Sequence, residues 1–285
     1  MDWYYVLAIV VVIILFMFCF MFWCGNTKTV YNHDWLYKRY IAHRGYFNNE
    51  EGVVENTKTA FLKAIEKKYL IETDISLTKD NKIIVYHDDN FIRLFNVEKK
   101  VSELTLEEIK QLSYEKTEDK VLEFKEFLEV IDGKTGLLLE FKSQDSKRDI
   151  ILCEKAMEIL KDYKGNYVVQ SFQPLILAYF KKHYPIVPRG QLFMKFNLKE
   201  ERKSLKGKGI KGYTSYLTKW MYNNKLTNFI GRPMFIDHSH HNIDFMAKLC
   251  HKLVPMIVYT VTNQTDFDNI KNKVDNVIFE NLNLK

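Results

Sequence analysis

Cysteine is scarce in this chain: four in 285 residues. Cys19, Cys24, Cys153 and Cys250 form no CxxC pair and no zinc spacing. That pattern excludes a disulfide framework and a thiolate zinc site, and leaves ordinary buried thiols. Internal repeats and low-complexity segments are absent, which excludes a solenoid. No nucleic-acid-binding module is present, and the net charge of +6 is diluted by 36 acidic residues, so nucleic acid is not an expected partner. Gly207-Lys208-Gly209 lacks the Ser or Thr that a P-loop carries after its lysine. Charge is missing altogether from residues 3–27.

That uncharged run is the first positive feature. Residues 7–22 are almost wholly apolar, and Tyr4, Tyr5 and Trp23 flank them. About 20 apolar residues span a bilayer as a helix, with amphipathic aromatics at the headgroups. A cleaved signal would want a basic start and a small-residue cleavage site, and a lipoprotein signal would want small residues before Cys24. The run has neither. The expected organisation is an N-terminal transmembrane anchor over 1–27, a linker over 28–39 and a catalytic-sized domain over 40–285. Asp2 precedes the span, whereas Lys28, Lys38 and Arg39 follow it. The positive-inside rule therefore leans toward a cytoplasmic body on a single-pass membrane protein.

Beyond residue 40, short Ile/Val/Leu-rich runs alternate with helix-like stretches. Strands are predicted at 40–43, 70–75, 136–141, 167–171, 190–193, 234–236, 255–261 and 277–280. Helices are predicted at 56–68, 105–112, 125–131, 147–163 and 174–183. Eight βα units in one domain of this length predict an α/β protein, a (β/α)8 TIM barrel. A doubly wound sheet is the alternative. One connection breaks the alternation: Asp74 and Ile83 are too close for a parallel crossover. Residues 83–87 should therefore return antiparallel, turning at Asp80-Asn81, and bring His87 beside Glu72 and Asp74. Residues 89–120 read as an excursion over the barrel mouth.

Glu72 and Asp74 are two apart on one strand, so they share a face. Glu140 and Lys142 repeat the pattern. Strand ends of such a barrel form its catalytic mouth. Three carboxylates converging there call for a hard divalent cation with oxygen ligands, Ca²⁺ or Mg²⁺. Ion pairs with Lys142, Arg44 and Lys82 are the plainer explanation of any one of them. His43 and His87 each end an apolar run and can divide acid and base work. Arg44 and Lys142 suit an anionic, phosphate-bearing substrate. Together these describe phosphodiester cleavage.

The ordered segments His43-Arg44-Gly45, Glu55-Asn56-Thr57, Glu72-x-Asp74, Leu77-Thr78-Lys79-Asp80, His87-Asp88, Leu139-Glu140-Phe141-Lys142, Ser171-Phe172 and 259–263 resemble the glycerophosphodiester phosphodiesterase family. The resemblance implies a phosphatidylinositol-phospholipase-C-like TIM barrel. It implies a cation held by Glu72, Asp74 and Glu140, acid–base catalysis by His43 and His87, and phosphate contacts from Arg44 and Lys142. Glu55, Asn56, Ser171 and Tyr259 match supporting or substrate-lining positions. Val54 stands where the family usually has proline, Tyr259 where it has tryptophan, and Glu280-Asn281-Leu282 where it has Thr-Asp-x-Pro. The implied reaction releases sn-glycerol 3-phosphate and an alcohol from a glycerophosphodiester. Two alternatives stand beside it: a lysophospholipase D acting on membrane lysolipids, and a non-catalytic anchored barrel that binds phosphodiesters.

Three further stretches attract notice. His238, His240 and His241 follow a predicted strand, but zinc is not the favoured reading. The basic stretch 199–211 reads as a solvated loop, with attraction to anionic lipid as the alternative. The aromatic stretch 213–222 reads as helix core, or else as an apolar lip meeting the bilayer.

Overall fold

A computed structural model describes residues 3–24, 33–203 and 209–284. Eleven strands occur among them: β1 (Ile41–Ala42), β2 (Leu70–Leu77), β3 (Ile83–Val85), β4 (Asn90–Phe91), β5 (Val97–Lys100), β6 (Leu137–Phe141), β7 (Tyr167–Ser171), β8 (Arg189–Phe193), β9 (Phe235–Ser239), β10 (Met256–Val261) and β11 (Asn276–Phe279). Eight of them are parallel and follow the order β1-β11-β10-β9-β8-β7-β6-β2. Ile41 pairs with both Ile278 and Leu70, so the sheet closes on itself. This is the TIM barrel, and closure removes the doubly wound alternative. Strands buried on both faces read as continuous apolar runs, which is why they were visible in the sequence.

The lower interior is filled by Ile41, Leu70, Leu138, Val168, Phe235, Ile257 and Ile278. Leu36 plugs this layer from beneath and is fully buried. It sits on a short 3-10 turn, Asp34–Tyr37, whose carbonyl at Leu36 accepts from the Asn276 side-chain amide. Asn276 also donates to the carbonyl of Arg39 at 2.9 Å. The stretch expected as linker thus carries the floor of the barrel, because Trp35-Leu36-Tyr37 is an apolar triplet with a cavity to fill. Residues 25–32 of that stretch lie outside the described residues.

β3 runs antiparallel to the end of β2, with Ile75 opposite Val85. Thr78 fixes the turn: its hydroxyl donates to Asp80 at 2.6 Å and accepts from the Lys82 amide at 2.9 Å. Asn81 takes the left-handed conformation there at φ 58°, which asparagine tolerates better than most residues. The excursion that follows carries β4, β5 and its own apolar cluster, including Tyr86, Phe91, Ile109 and Tyr114.

The helix Trp3–Phe22 is long and apolar enough to cross a membrane, and almost all of it stands clear of the barrel. Only its end is packed: Phe22 and Cys24 are buried. Asn228 donates to the Phe22 carbonyl at 3.1 Å and lies 3.2 Å from the Cys24 sulfur. Arg232 donates to the carbonyls of Phe20 and Trp23 at 2.8 and 2.6 Å and covers the Phe20 ring. A cation on the carbonyl end of a helix satisfies orphan acceptors and opposes the helix dipole.

Candidate active site

The upper interior layer is polar. Glu72 and Asp74 lie on β2 and Glu140 on β6, with Asp74 directly beside Glu140 in the parallel register. One carboxylate oxygen from each lies within 4.8 Å of the others, and all three residues are buried. Burial and the two neighbouring carboxylates push the Glu72 carboxyl well above its usual range. Burial acts the same way on Asp74, but Lys142, His87 and Arg44 outweigh it and hold Asp74 charged. Lys142 reaches Asp74 at 3.1 Å and Glu140 at 2.8 Å. Asn56, in the left-handed conformation at φ 56°, accepts from Thr73 at 2.7 Å and donates to Asp74 at 3.2 Å.

His43 follows β1 at the mouth. Its Nε2 lies 3.7 Å from Glu72, and its Nδ1 meets Glu280 at 2.5 Å. Burial lowers the His43 pKa, opposed by the Glu280 carboxylate. Glu280 is held below the usual carboxylate range, because the bond from His43 outweighs its own burial. Arg44 turns in the left-handed region at φ 53°, and its backbone amide donates to Glu72 at 3.2 Å. Gly45 follows at φ 82°; a Cβ there would lie 2.9 Å from the Ala60 carbonyl carbon. Only glycine fits that approach, which explains the His43-Arg44-Gly45 order.

Glu55 is the hub of the cation side. It accepts from Arg44 at 2.6 Å and from both Arg93 terminal nitrogens at 2.7 Å, and these arginines bring its pKa down to about 2 against burial. Arg93 also binds Asp88 at 2.7 Å, and Asp88 holds the His87 Nδ1 at 2.6 Å. His43, Arg44, Glu72, His87, Glu140, Gln170, Phe172 and Tyr259 line one cavity of about 140 Å³.

Ser171 is not brought to this cavity. Its hydroxyl donates to the Phe141 carbonyl at 2.8 Å, and its neighbour Gln170 faces inward instead. Sequence reasoning missed four residues. Glu280 and Asp88 are the carboxylates that hold the two histidines, and Arg93 links Asp88 to Glu55. Asp237 is fully buried on β9, and no protein group meets either of its carboxylate oxygens; burial and nearby Glu140 raise its pKa far above normal. Glu280 had a signal, since it stands in phase with the inward Ile278. Arg93 had none.

His238 does not follow a strand: it lies within β9, because that strand pairs with β8 and β10 through positions 238 and 239. It is buried, and burial with Lys225 nearby lowers its pKa to about 4. His240 and His241 instead lie with ring centroids 3.7 Å apart, tilted by 41°, near Asp266. Of the basic stretch 199–211, residues 204–208 lie outside the described residues. The aromatic stretch 213–222 lies within the helix Gly209–Asn223, where Tyr222 is buried and Leu217 and Trp220 are exposed.

The glycerophosphoryl diester phosphodiesterase family model matches residues 43–282. The chain belongs to this family. A putative glycerophosphodiester phosphodiesterase of Bacillus subtilis is 33% identical over 157 residues, covering 52% of this chain and 63% of that protein. A glycerophosphodiester phosphodiesterase of Caldanaerobacter subterraneus is 35% identical over 167 residues, covering 54% and 65%. The chain thus spans just under two thirds of the length of these relatives. In fold it is similar to a phosphodiesterase of Oleispira antarctica solved with the product sn-glycerol-3-phosphate: TM-score 0.64, 19% identity, 85% of this chain and 92% of that one.

Proposed function

We propose that this protein is a membrane-anchored, divalent-cation-dependent phosphodiesterase that hydrolyses glycerophosphodiesters to sn-glycerol 3-phosphate and an alcohol. The observation that carries the reading is one cavity of a family barrel lined by two histidines, two of three clustered carboxylates and an arginine, with Asp74 and Lys142 beside them.

Glu72, Asp74 and Glu140 would hold the cation. Their donor set is all oxygen, which selects Ca²⁺ or Mg²⁺ over zinc. The three acids lie close together, and burial with the neighbouring Asp74 and Glu140 raises the Glu72 pKa, a cost that a bound cation would relieve. Such an ion supplies charge neutralisation at the phosphate and acidifies a bound water or hydroxyl. Arg44 and Lys142 contact the remaining phosphate oxygens. Glu280 fixes the His43 ring by its Nδ1, so Nε2 faces the acid cluster and handles the proton. Asp88 does the same for His87. One histidine takes the proton of the attacking nucleophile, water or the neighbouring glycerol hydroxyl. The other protonates the departing alkoxide as the P–O bond breaks. Where the hydroxyl attacks, water then opens the cyclic phosphate to glycerol 3-phosphate.

Helix Trp3–Phe22 is the anchor in this reading, supported by its length, its apolar character and its exposure. A second reading, lysolipid cleavage, is favoured by one observation. A groove of about 430 Å³, lined by Phe172, Met194, Phe196 and Tyr222 among others, adjoins the cavity through Phe172.

The test uses the full chain in detergent with glycerophosphocholine, glycerophosphoethanolamine and glycerophosphoglycerol, each with and without chelator. Chelator-sensitive release of glycerol 3-phosphate is the expected result. No release with added Ca²⁺ or Mg²⁺, together with cleavage of lysophosphatidylcholine, would move the second reading to first place. Silence on every substrate would leave a phosphodiester-binding barrel.

A further inference from the structure

We propose that the base of the barrel is a docking surface for an anionic lipid bilayer, and that it seats the domain with its catalytic mouth turned away from the membrane. This rests on the anchor reading above and deepens it. Topology is the first ground. In a parallel barrel the strands all start at one end and finish at the other, so the floor and the mouth are opposite faces. The described chain resumes at residue 33 and reaches the floor at once, where Leu36 plugs the interior beneath β1. The tether therefore joins the domain at the face opposite His43 and His87.

The anchor's own contacts run the same way. Asn228 meets Phe22 and Cys24, and Arg232 meets both Phe20 and Trp23. Going from Asn228 to Arg232 is going toward the start of β9, where the Met234 amide binds the Arg189 carbonyl at the start of β8. The packed end of the helix therefore meets the barrel beside the connection into β9, on the base side.

Charge is the independent ground. Seven of the eight connections leading into the barrel strands are 34–40, 66–69, 132–136, 161–166, 182–188, 251–255 and 271–275; the eighth, 224–234, exposes no charged residue. Among the described residues they carry eleven exposed lysines and arginines against five exposed carboxylates. On the mouth side the excursion 89–120 carries six basic against eight acidic residues, whereas 194–203, which follows β8, carries four against two, so the base is distinguished by its place beside the span and not by charge alone. Lys38, Lys68, Lys134, Lys164, Lys182 and Lys252 come from six different connections, so the positive charge is spread over the whole face. A basic face beside a membrane span is attracted to anionic headgroups. Seated so, the cavity opens to water. Its substrate class is then the water-soluble, deacylated glycerophosphodiester, and a lysolipid in the same leaflet lies on the wrong side of the barrel.

The test places a fluorophore on the full chain, with Cys19→Ser, at Lys164→Cys on the base or at Lys116→Cys on the mouth side. The protein is reconstituted in phosphatidylcholine vesicles with or without phosphatidylglycerol, with a headgroup-labelled acceptor lipid. Energy transfer should be several-fold stronger from position 164 than from position 116. The difference should shrink without phosphatidylglycerol, or in a Lys134→Glu, Lys182→Glu, Lys252→Glu variant. Equal or stronger transfer from the mouth label would overturn the proposal, as would indifference to both lipid charge and charge reversal. Extraction of the protein by alkaline carbonate would remove the anchor reading itself, and the proposal with it.

Discussion

Glu280→Gln isolates the charge of the residue that holds His43. Glutamine keeps the shape, and its carbonyl still accepts from Nδ1, so the ring orientation survives. The negative charge does not. In the native site two effects oppose each other on His43: burial disfavours the imidazolium, and the Glu280 carboxylate, 2.5 Å away, favours it. Removing the carboxylate leaves burial, so the His43 pKa falls. The pH–rate limb that His43 controls therefore moves to lower pH, whether the residue acts as acid or as base. Turning a charged hydrogen bond into a neutral one forfeits roughly 1–2 kcal/mol. The pair is mostly shielded, with side chains 13% and 21% exposed, so little is lost to screening. If that energy is used in the transition state, kcat/KM falls by about 5- to 30-fold. The assay is glycerol 3-phosphate release from glycerophosphocholine across pH, with saturating cation. A wild-type profile with unmoved limbs would refute the argument and reduce the contact to packing.

The other perturbations separate cation, proton transfer and fold. Glu72→Gln should abolish divalent-dependent turnover yet raise the melting temperature of the chelated protein at neutral pH. Its native carboxyl is pushed up by burial, Asp74 and Glu140. A raised carboxyl pKa costs stability as pH rises from about 4 through the folded value. The gain should therefore vanish near pH 4 in calorimetric scans, and a gain that persists there would contradict this account. His87→Ala should lose turnover and keep cation binding by titration calorimetry; loss of both would mean that His87 shapes the acid cluster. Leu36→Ala should cost about 2–5 kcal/mol in denaturant melts, as a fully buried leucine with neighbours that cannot collapse. A cost below 1 kcal/mol would return residues 34–37 to the role of a linker.

The barrel was legible because parallel strands must be apolar on both faces, so each announced itself as an Ile/Val/Leu run. The acid cluster was legible because Glu72, Asp74 and Glu140 interrupt two such runs in phase. The hairpin followed from chain length alone: too few residues separate Asp74 from Ile83 for a crossover. What stayed hidden depends on contacts distant in sequence. Glu55 and Arg93 are 38 positions apart, and neither stretch points to the other. Asp237 escapes because the strand expected over 234–236 stops just short of it and three residues short of the end of β9 at Ser239. Leu36 escaped because three apolar residues between polar ones look like any linker until a cavity lies above them.

The charges around the cavity make sense only together. Glu55, Glu72, Asp74, Asp88, Glu140, Asp237 and Glu280 face three permanent cations, Arg44, Arg93 and Lys142. Seven carboxylates against three cations is not a balance that a buried layer can hold. The protein relieves it at two places, where Glu72 and Asp237 are driven toward their neutral forms. The two sites differ in what they offer a cation. Glu72 lies within ligand distance of Asp74 and Glu140, and the Arg44 amide and Gln170 hold its oxygens. Asp237 has no such company. A divalent ion would therefore favour the ionised form of Glu72, whereas Asp237, in the same interior layer, offers it no such cluster. The carboxylates that hold His43 and His87 lie outside the acid cluster, each with its own arrangement: Glu280 on one side, Asp88 with Arg93 on the other. In the proposed mechanism, cation binding and proton transfer thus fall to different carboxylates, which is why Glu72→Gln and Glu280→Gln should fail in different assays.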